Sequence, residues 1–169
     1  MRPSWKRAER PLIALACALV GLLPLAAPAA AAPPRSALGP FGRALLRELN
    51  HARAQYGLPA MRDDARMDRA ARGYSRTMAA SGYVAHGAWG PRVASASRHA
   101  DGIGEVLGWL TPGDPAGEAS WLVRAWLASP VHRPVVLGAS FRRVGIGRTT
   151  GWVGGASSAI YTVDFASAR

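Results

Sequence analysis

Apolar residues recur every three or four positions through the first part of the chain, a spacing that predicts amphipathic helices with one buried face. The first such stripe covers residues 38–56, and Gly57 is placed to end the helix. A second stripe follows a capping residue, Asp63 or Asp64, and ends at Gly82. The pattern therefore predicts two helices at the start of the domain.

The middle of the chain carries two further helix signals. Residues 92–100 predict a short third helix. Asp114 followed by Pro115 is typical of a helix start, because aspartate caps the free N–H groups and proline fits the first turn. The apolar run from there is expected to stop at Ser129, since Pro130 disfavours helical geometry in the residue before it.

The last third changes to a period of two, which is the spacing of strands. Val144 and Ile146 alternate with glycines, and residues 159–165 alternate between two faces. Gly154 and Gly155 lie between these runs and predict a tight turn. Helices first and a hairpin later predict an α+β domain, with helices packed on a small antiparallel sheet.

The N-terminus has the layout of a secretory signal peptide: a basic start, an apolar stretch and small residues near a cleavage site. We expect residues 1–29 to be that signal, 30–40 an Ala/Pro-rich linker and 41–166 the folded domain, with a secreted or extracytoplasmic location. A retained membrane anchor and a lipoprotein acylated at Cys17 are the alternatives. The apolar run is short for a span, which needs ~20 residues, and it continues past Cys17.

Counted from Ala30, the chain keeps 17 basic residues, all arginine, and nine acidic residues, a net charge of about +8. It contains no cysteine, so the domain is expected to fold without disulfides. The arginines are dispersed and no nucleic-acid motif is present, so nucleic acid is not an expected partner. Attraction to an anionic surface remains an alternative to simple compositional bias.

Three side chains stand out as candidate chemistry. His86 and His132 each follow the end of a periodic helix, and Glu105 lies alone among glycines, whose flexible backbone would let it approach other groups closely. Two imidazoles and a carboxylate can hold one divalent metal such as zinc, or act as base, orienter and acid without metal. Their separation in sequence matches no local metal motif. His51 and His99 are expected to be exposed.

Ser129 and His132 also suggest a nucleophile and its base, but the proline between them leaves their orientation open. Ser129 is more simply a residue at the end of a helix.

A hairpin accounts better than a phosphate loop for Gly145 and Gly147.

Several loose motifs occur together in a characteristic order, and the chain resembles secreted bacterial members of the CAP superfamily, also called SCP/PR-1-like (cysteine-rich secretory proteins, antigen 5, pathogenesis-related 1). The resemblance covers about residues 41–166. The matching segments are Leu49-Asn50-His51-Ala52-Arg53 with Gly57-Leu58-Pro59, Ala70-Ala71 with Met78 and His86, Gly104-Glu105-Val106, Trp126 with Ser129, Pro130, His132 and Arg133, and Gly145-Ile146-Gly147.

The resemblance implies an α-β-α sandwich of the CAP/PR-1-like type, with a cavity lined by two histidines and two glutamates that binds a divalent metal in some members. Matched by position, His86, Glu105 and His132 belong to this set and are the candidate metal ligands and candidate catalytic residues. Ser129 stands where eukaryotic members have the second glutamate and bacterial members commonly have serine, so the set of four is reduced to three. Val106 replaces the asparagine of the family's G-E-N segment.

No common reaction follows from the resemblance. We expect a monomeric binding module for a lipid, another envelope component or a divalent metal, without a stable membrane span after signal cleavage. Two alternatives stay open: a metal-assisted hydrolase or protease using His86, Glu105 and His132, and a structural or interaction protein of the envelope. The missing second carboxylate favours binding over catalysis.

Overall fold

This computed structural model describes residues 38–168. These residues fold into a four-stranded sheet with helices on both of its faces. The expected signal peptide and residues 30–37 of the expected linker lie outside the described residues. In chain order the elements are α1 (Pro40–Gln55), β1 (Arg62–Asp63), α2 (Ala65–Ser81), α3 (Trp89–Ala96), β2 (Ile103–Leu110), α4 (Pro115–Ala128), α5 (Arg133–Val136), β3 (Phe141–Val153) and β4 (Ala156–Ser167).

The predicted helix ends are confirmed for α1, α2 and α4. Gly57 and Gly82 both take positive φ angles of 66° after their helices. Asp64, rather than Asp63, caps α2, and its side chain accepts the first free backbone N–H groups. Asp114 caps α4 in the same way, and Ser129 is the residue at its end.

The third helix was placed wrongly by the sequence pattern. It was expected over residues 92–100, but α3 covers Trp89–Ala96. The helix ends early because Arg98 and His99 both take left-handed backbone conformations, with φ angles of 57° and 56°. His51 and His99 are exposed, as predicted.

The sheet has the strand order β1-β3-β4-β2. β3 and β4 form the predicted antiparallel hairpin, and both turn glycines, Gly154 and Gly155, have positive φ. β2 pairs antiparallel with β4 along its whole length, whereas the short β1 runs parallel to β3. The glycine-rich segment around Glu105 is therefore an ordered edge strand, and not the flexible segment suggested by its sequence.

The alternation along β4 separates two cores. Tyr161, Val163 and Phe165 pack with α1 and α4 on one face. Ile160 and Ala166 pack with α2 and α3 on the other. The expected three-layer α-β-α arrangement is confirmed.

Two glycines of β3 allow α2 to lie directly on the sheet. A Cβ added at Gly145 would approach the Met67 backbone to 2.5 Å, and one at Gly147 would approach the Ala71 backbone to 2.3 Å. These glycines are needed for close packing, in agreement with a hairpin and not a phosphate loop. Within the described residues, no helix is both long enough and apolar enough to cross a membrane.

Candidate functional site

Glu105 lies on β2, directly opposite Asp164 on β4. Both carboxyl side chains are fully shielded from solvent. They share the sheet face that α2 and α3 cover, since Ile160 and Ala166 alternate onto the same face of β4 as Asp164. Two buried carboxyl groups thus stand side by side, an arrangement that requires a cation or a shared proton.

Arg92 of α3 supplies that cation. Its Nη1 donates to Asp164 Oδ2 at 2.8 Å, and its Nη2 hydrogen-bonds to Glu105 Oε2. The guanidinium also stacks over the ring of Tyr74, 4.1 Å from the centroid. One arginine therefore links helix α3 to both strands of the site.

His86 completes the network from the loop after α2. Its Nδ1 lies 2.7 Å from Glu105 Oε1, and its side chain is 47% exposed. Tyr74 fixes this loop, because its hydroxyl donates to the Ala85 carbonyl at 2.7 Å. The loop also needs Gly87, which has a φ of 53° and passes so close that a Cβ would lie 2.5 Å from the Tyr74 hydroxyl.

Burial favours the protonated form of both carboxyl groups of the pair, because it raises their pKa values. Burial raises the pKa of Asp164 to about 8, with Arg92 opposing the rise and Glu105 adding to it. Burial also raises the pKa of Glu105, again opposed by Arg92. Asp164 Oδ1 and Arg92 Nε have no hydrogen-bond partner in the described part of the chain. A pair with one proton carries one negative charge, which Arg92 balances.

His132 makes a different contact, beyond the end of α4. Its Nδ1 is 2.9 Å from Ser129 Oγ, so the two residues face each other despite the intervening proline. Burial lowers the pKa of His132, and the nearby His86 lowers it further. A neutral imidazole can accept a proton or bind a metal.

Two open clefts border these histidines. The first, of about 560 Å³, is lined by His86 and Glu105 together with Trp89, Val135 and Phe141. The second, of about 340 Å³, is lined by Ser129 and His132 and by the half-exposed Trp109 and Trp121. Mostly apolar clefts with a few polar groups are the usual form of ligand sites.

The structure thus joins two of the three predicted site residues directly, His86 and Glu105. His132 is close enough to His86 for the two imidazoles to interact electrostatically, but its hydrogen bond is to Ser129. Among residues 38–168, no group of three or more His, Cys, Asp or Glu side chains is placed to hold a metal ion. As arranged, the residues do not provide the three protein ligands of an open zinc site, and metal binding stays a prediction.

Sequence reasoning missed Arg92 and Asp164. Asp164 did give a signal, because it is a charged residue in the strand alternation on a face that a covering helix would bury. Nothing in the local sequence marks Arg92, which contacts Asp164 across 72 positions of the chain.

Other motif residues hold the fold together. Arg53 is fully buried and donates to four backbone carbonyls, those of Pro59, Val136, Gly138 and Phe141. Asn50 bonds to both the N–H and the carbonyl of Met61. Val106 belongs to the core between the sheet and helices α1 and α4.

The family model described as "Cysteine-rich secretory protein family", CAP, matches residues 46–165. Among solved structures, an outer surface protein of Borrelia burgdorferi aligns with a TM-score of 0.59 and 18% identity, covering 76% of this chain and 93% of that one. No curated protein matches the chain.

Two longer bacterial proteins share the fold. An extracellular protein of Bacillus anthracis that contains an SCP domain aligns with a TM-score of 0.56 and 24% identity, over 75% of this chain and 40% of that one. A cysteine-rich secretory protein of Staphylococcus aureus aligns with a TM-score of 0.55 and 16% identity, over 80% and 41%. The family match covers more than half of the sequence, and the chain belongs to the CAP family.

Proposed function

We propose that this CAP domain is an extracytoplasmic binding module that takes an amphipathic component of the cell envelope, a lipid, into the cleft beside His86. The observation that carries the proposal is that both oxygens of Glu105 are hydrogen-bonded, one to His86 and the other to Arg92. The carboxylate is held in place and is not available as a free base. The exposed edge of the His86 ring remains as the polar contact for a ligand.

The lining of the cleft supports a ligand with a long apolar part. The cleft that contains His86 is also lined by the apolar side chains of Trp89, Ile103, Val135 and Phe141. Burying such surface against a ligand supplies most of the binding free energy, while a single imidazole orients a polar group. An envelope lipid has both parts. The expected signal peptide would bring the domain to that compartment.

A cleft-filling variant tests the proposal. Val135 is half-buried in the cleft wall, so Val135→Trp would fill the space, whereas Val131→Trp adds the same ring at a position that is 73% exposed. Each protein is purified after export from a bacterial host, extracted, and examined for retained lipid by mass spectrometry. We expect lipid with the wild type and Val131→Trp, and roughly tenfold less with Val135→Trp.

Repeated absence of lipid from the wild type, together with no binding to liposomes, would contradict the proposal. Equal retention by the two tryptophan variants would place the lipid elsewhere and would also count against this cleft. His86→Ala is a second measurement, expected to weaken retention without closing the space.

Catalysis has one observation in its favour, the 2.9 Å contact between His132 Nδ1 and Ser129 Oγ beside the second cleft. A hydrolase would use His132 as base and Ser129 as nucleophile. Ester and peptide hydrolysis by the wild type, abolished in both Ser129→Ala and His132→Ala, would support this second candidate. Background rates that are the same in all three proteins would exclude it.

A further inference from the structure

The outward face of α2 carries three arginines in a row. The buried residues of this helix, among them Met67 and Met78, belong to the cores between the helix and the sheet. At 3.6 residues per turn, Arg66, Arg69 and Arg76 lie within about 80° of one another on the opposite side, and they extend over about 15 Å of the helix. All three are exposed. We call them the α2 arginine row.

The guanidinium groups of the α2 arginine row are not used inside the domain. Within residues 38–168, the arginines that form ion pairs are Arg92, Arg143 and Arg148, and the row makes no side-chain hydrogen bond. The acidic residue of α2, Asp68, is buried, and its electrostatic interaction within the helix is with the half-buried Arg72. The row thus presents three positive charges to solvent that no ion pair of the described residues balances.

The surface between these side chains is open. Gly73 lies on the same side of the helix, between Arg69 and Arg76, and a Cβ added there would meet no atom within 4 Å. Ala80 continues this side toward the end of α2 and is exposed. Because these two residues are small, the arginines are the most prominent groups of the face, and a flat anionic surface can reach all three together.

Two exposed aromatic residues lie at the C-terminal end of the same helix. Tyr83, which directly follows the helix-ending Gly82, is 69% exposed, and Trp152 of the β3–β4 hairpin is 65% exposed. The hairpin is close to this end of α2, since a Cβ added at Gly82 would lie 3.5 Å from the Trp152 carbonyl oxygen. Tyrosine and tryptophan are typical of the boundary between membrane and water, because each combines an apolar ring with a polar group.

We infer that the α2 arginine row, with Tyr83 and Trp152 at its end, is the surface by which this domain binds an anionic lipid bilayer. The positive charges complement acidic headgroups, and each basic residue near such a surface strengthens binding roughly fivefold. The exposed aromatic rings favour a bilayer over an acidic polymer, because a bilayer offers an apolar layer beneath the charges. The surface shares no residue with the proposed lipid cleft.

Sedimentation with lipid vesicles tests this inference on the protein purified after export from a bacterial host. We expect the wild type to bind phosphatidylglycerol vesicles at 0.1 M NaCl but not phosphatidylcholine vesicles. Binding should weaken strongly at 1 M NaCl, because the Debye length falls from about 10 Å to about 3 Å. The apparent Kd of Arg69→Gln/Arg76→Gln should be roughly thirtyfold weaker. Glutamine has nearly the helix propensity of arginine, so this variant is expected to fold.

The matched control is Arg47→Gln/Arg124→Gln, which removes the same charge from exposed positions of α1 and α4, on the other face of the sheet. It should bind the vesicles like the wild type. The inference is overturned if the wild type binds neither kind of vesicle, if it binds both alike, or if the two double variants bind alike. Binding of soluble polyphosphate without binding of vesicles would also overturn it, and would assign the row to an acidic polymer.

Two further variants separate the aromatic contribution and the lipid cleft. Tyr83→Ser/Trp152→Ser keeps every charge and should bind phosphatidylglycerol vesicles roughly tenfold more weakly. Unchanged affinity would overturn the choice of a bilayer over another anionic surface. Val135→Trp, which fills the proposed lipid cleft, should bind the vesicles like the wild type. Failure of the cleft proposal and failure of this inference are therefore distinguishable.

Discussion

Glu105 and Asp164 are cross-strand partners, and the guanidinium of Arg92 bonds to both of their carboxyl groups. This relationship explains how two acidic groups persist in the interior between the sheet and helices α2 and α3. It also fixes the position of the exposed His86, because the imidazole bonds to the remaining oxygen of Glu105. The candidate site is thus a buried ionic network with one face open to a cleft.

Removal of the central cation should therefore destabilise the domain strongly. Arg92→Leu would leave two buried carboxyl groups without their cation, and breaking a buried pair by removing one partner costs about 3–5 kcal/mol. The free energy of unfolding, measured by denaturant titration, should fall by that amount. Arg69→Leu removes an exposed arginine and should change it by about 0.5 kcal/mol or less.

A second substitution separates charge burial from lost packing. Asp164→Asn in the Arg92→Leu background removes one of the two carboxyl groups and should recover part of the loss. No recovery would mean that the arginine acts through packing on Tyr74 and not through charge.

Because of the buried carboxyl group of Asp68, we expect the stability of the domain to depend on pH. Asp68 is fully buried on α2, its Oδ1 accepts the Ile146 N–H at 2.8 Å, and burial raises its pKa to about 6. A raised pKa means that the folded state holds the proton more tightly, so this contribution to stability is present at acidic pH and is lost as the pH rises through about 6.

The test compares wild type with Asp68→Asn between pH 4 and pH 8. The stability of the variant relative to wild type should increase with pH by about 3 kcal/mol at most, since each pKa unit corresponds to about 1.4 kcal/mol. Asp101→Asn, at an exposed position, is the control. A difference between wild type and Asp68→Asn that stays constant with pH would contradict the expectation.

Arg53 should be essential to the fold even though it lines neither of the two clefts. Its guanidinium satisfies carbonyls of the segment after α1 and of the segment around α5, so it fixes the backbone that leads into β3. Arg53→Met should cost about 3 kcal/mol or more, because each buried carbonyl left without a donor costs about 1–3 kcal/mol.

Arg47→Met makes the same change on an exposed face of α1 and should cost little. Chemical denaturation of the two variants measures the difference. Equal stability of the two proteins would show that the Leu49–Arg53 part of the motif does not act through these bonds.

The sequence predicted the elements whose signals are local. Asp114 and Gly82 mark helix ends through their own chemistry, and Gly154 with Gly155 marks a hairpin in the same way. β2 escaped prediction because its glycines and Glu105 resemble a flexible segment. Its order comes from pairing with β4, a partner some 60 residues away.

The same reasoning accounts for the site. Glu105 and the two histidines were found because their side chains are unusual in their surroundings and match a family pattern. Arg92 is one of many dispersed arginines, and only the approach of α3 to β2 and β4 distinguishes it. Contacts across such distances depend on packing, which a local pattern does not contain.

Ser129 provides the last prediction, on metal binding. The resemblance matches this position to the second glutamate of eukaryotic members, and Ser129 Oγ lies 2.9 Å from His132 Nδ1. Ser129→Glu would add a carboxylate beside the imidazole and supply a further ligand of the kind zinc accepts. We expect zinc to bind this variant roughly tenfold more tightly than the wild type in a competitive titration with a chromophoric chelator. Ser120→Glu adds the same charge elsewhere on α4 and should leave zinc affinity unchanged. The gain should also disappear when His86→Ala is combined with Ser129→Glu, because the site would lose an imidazole. If both glutamate variants bind zinc equally, the effect is general electrostatic attraction, and Ser129 is not the position that limits a metal site in this chain.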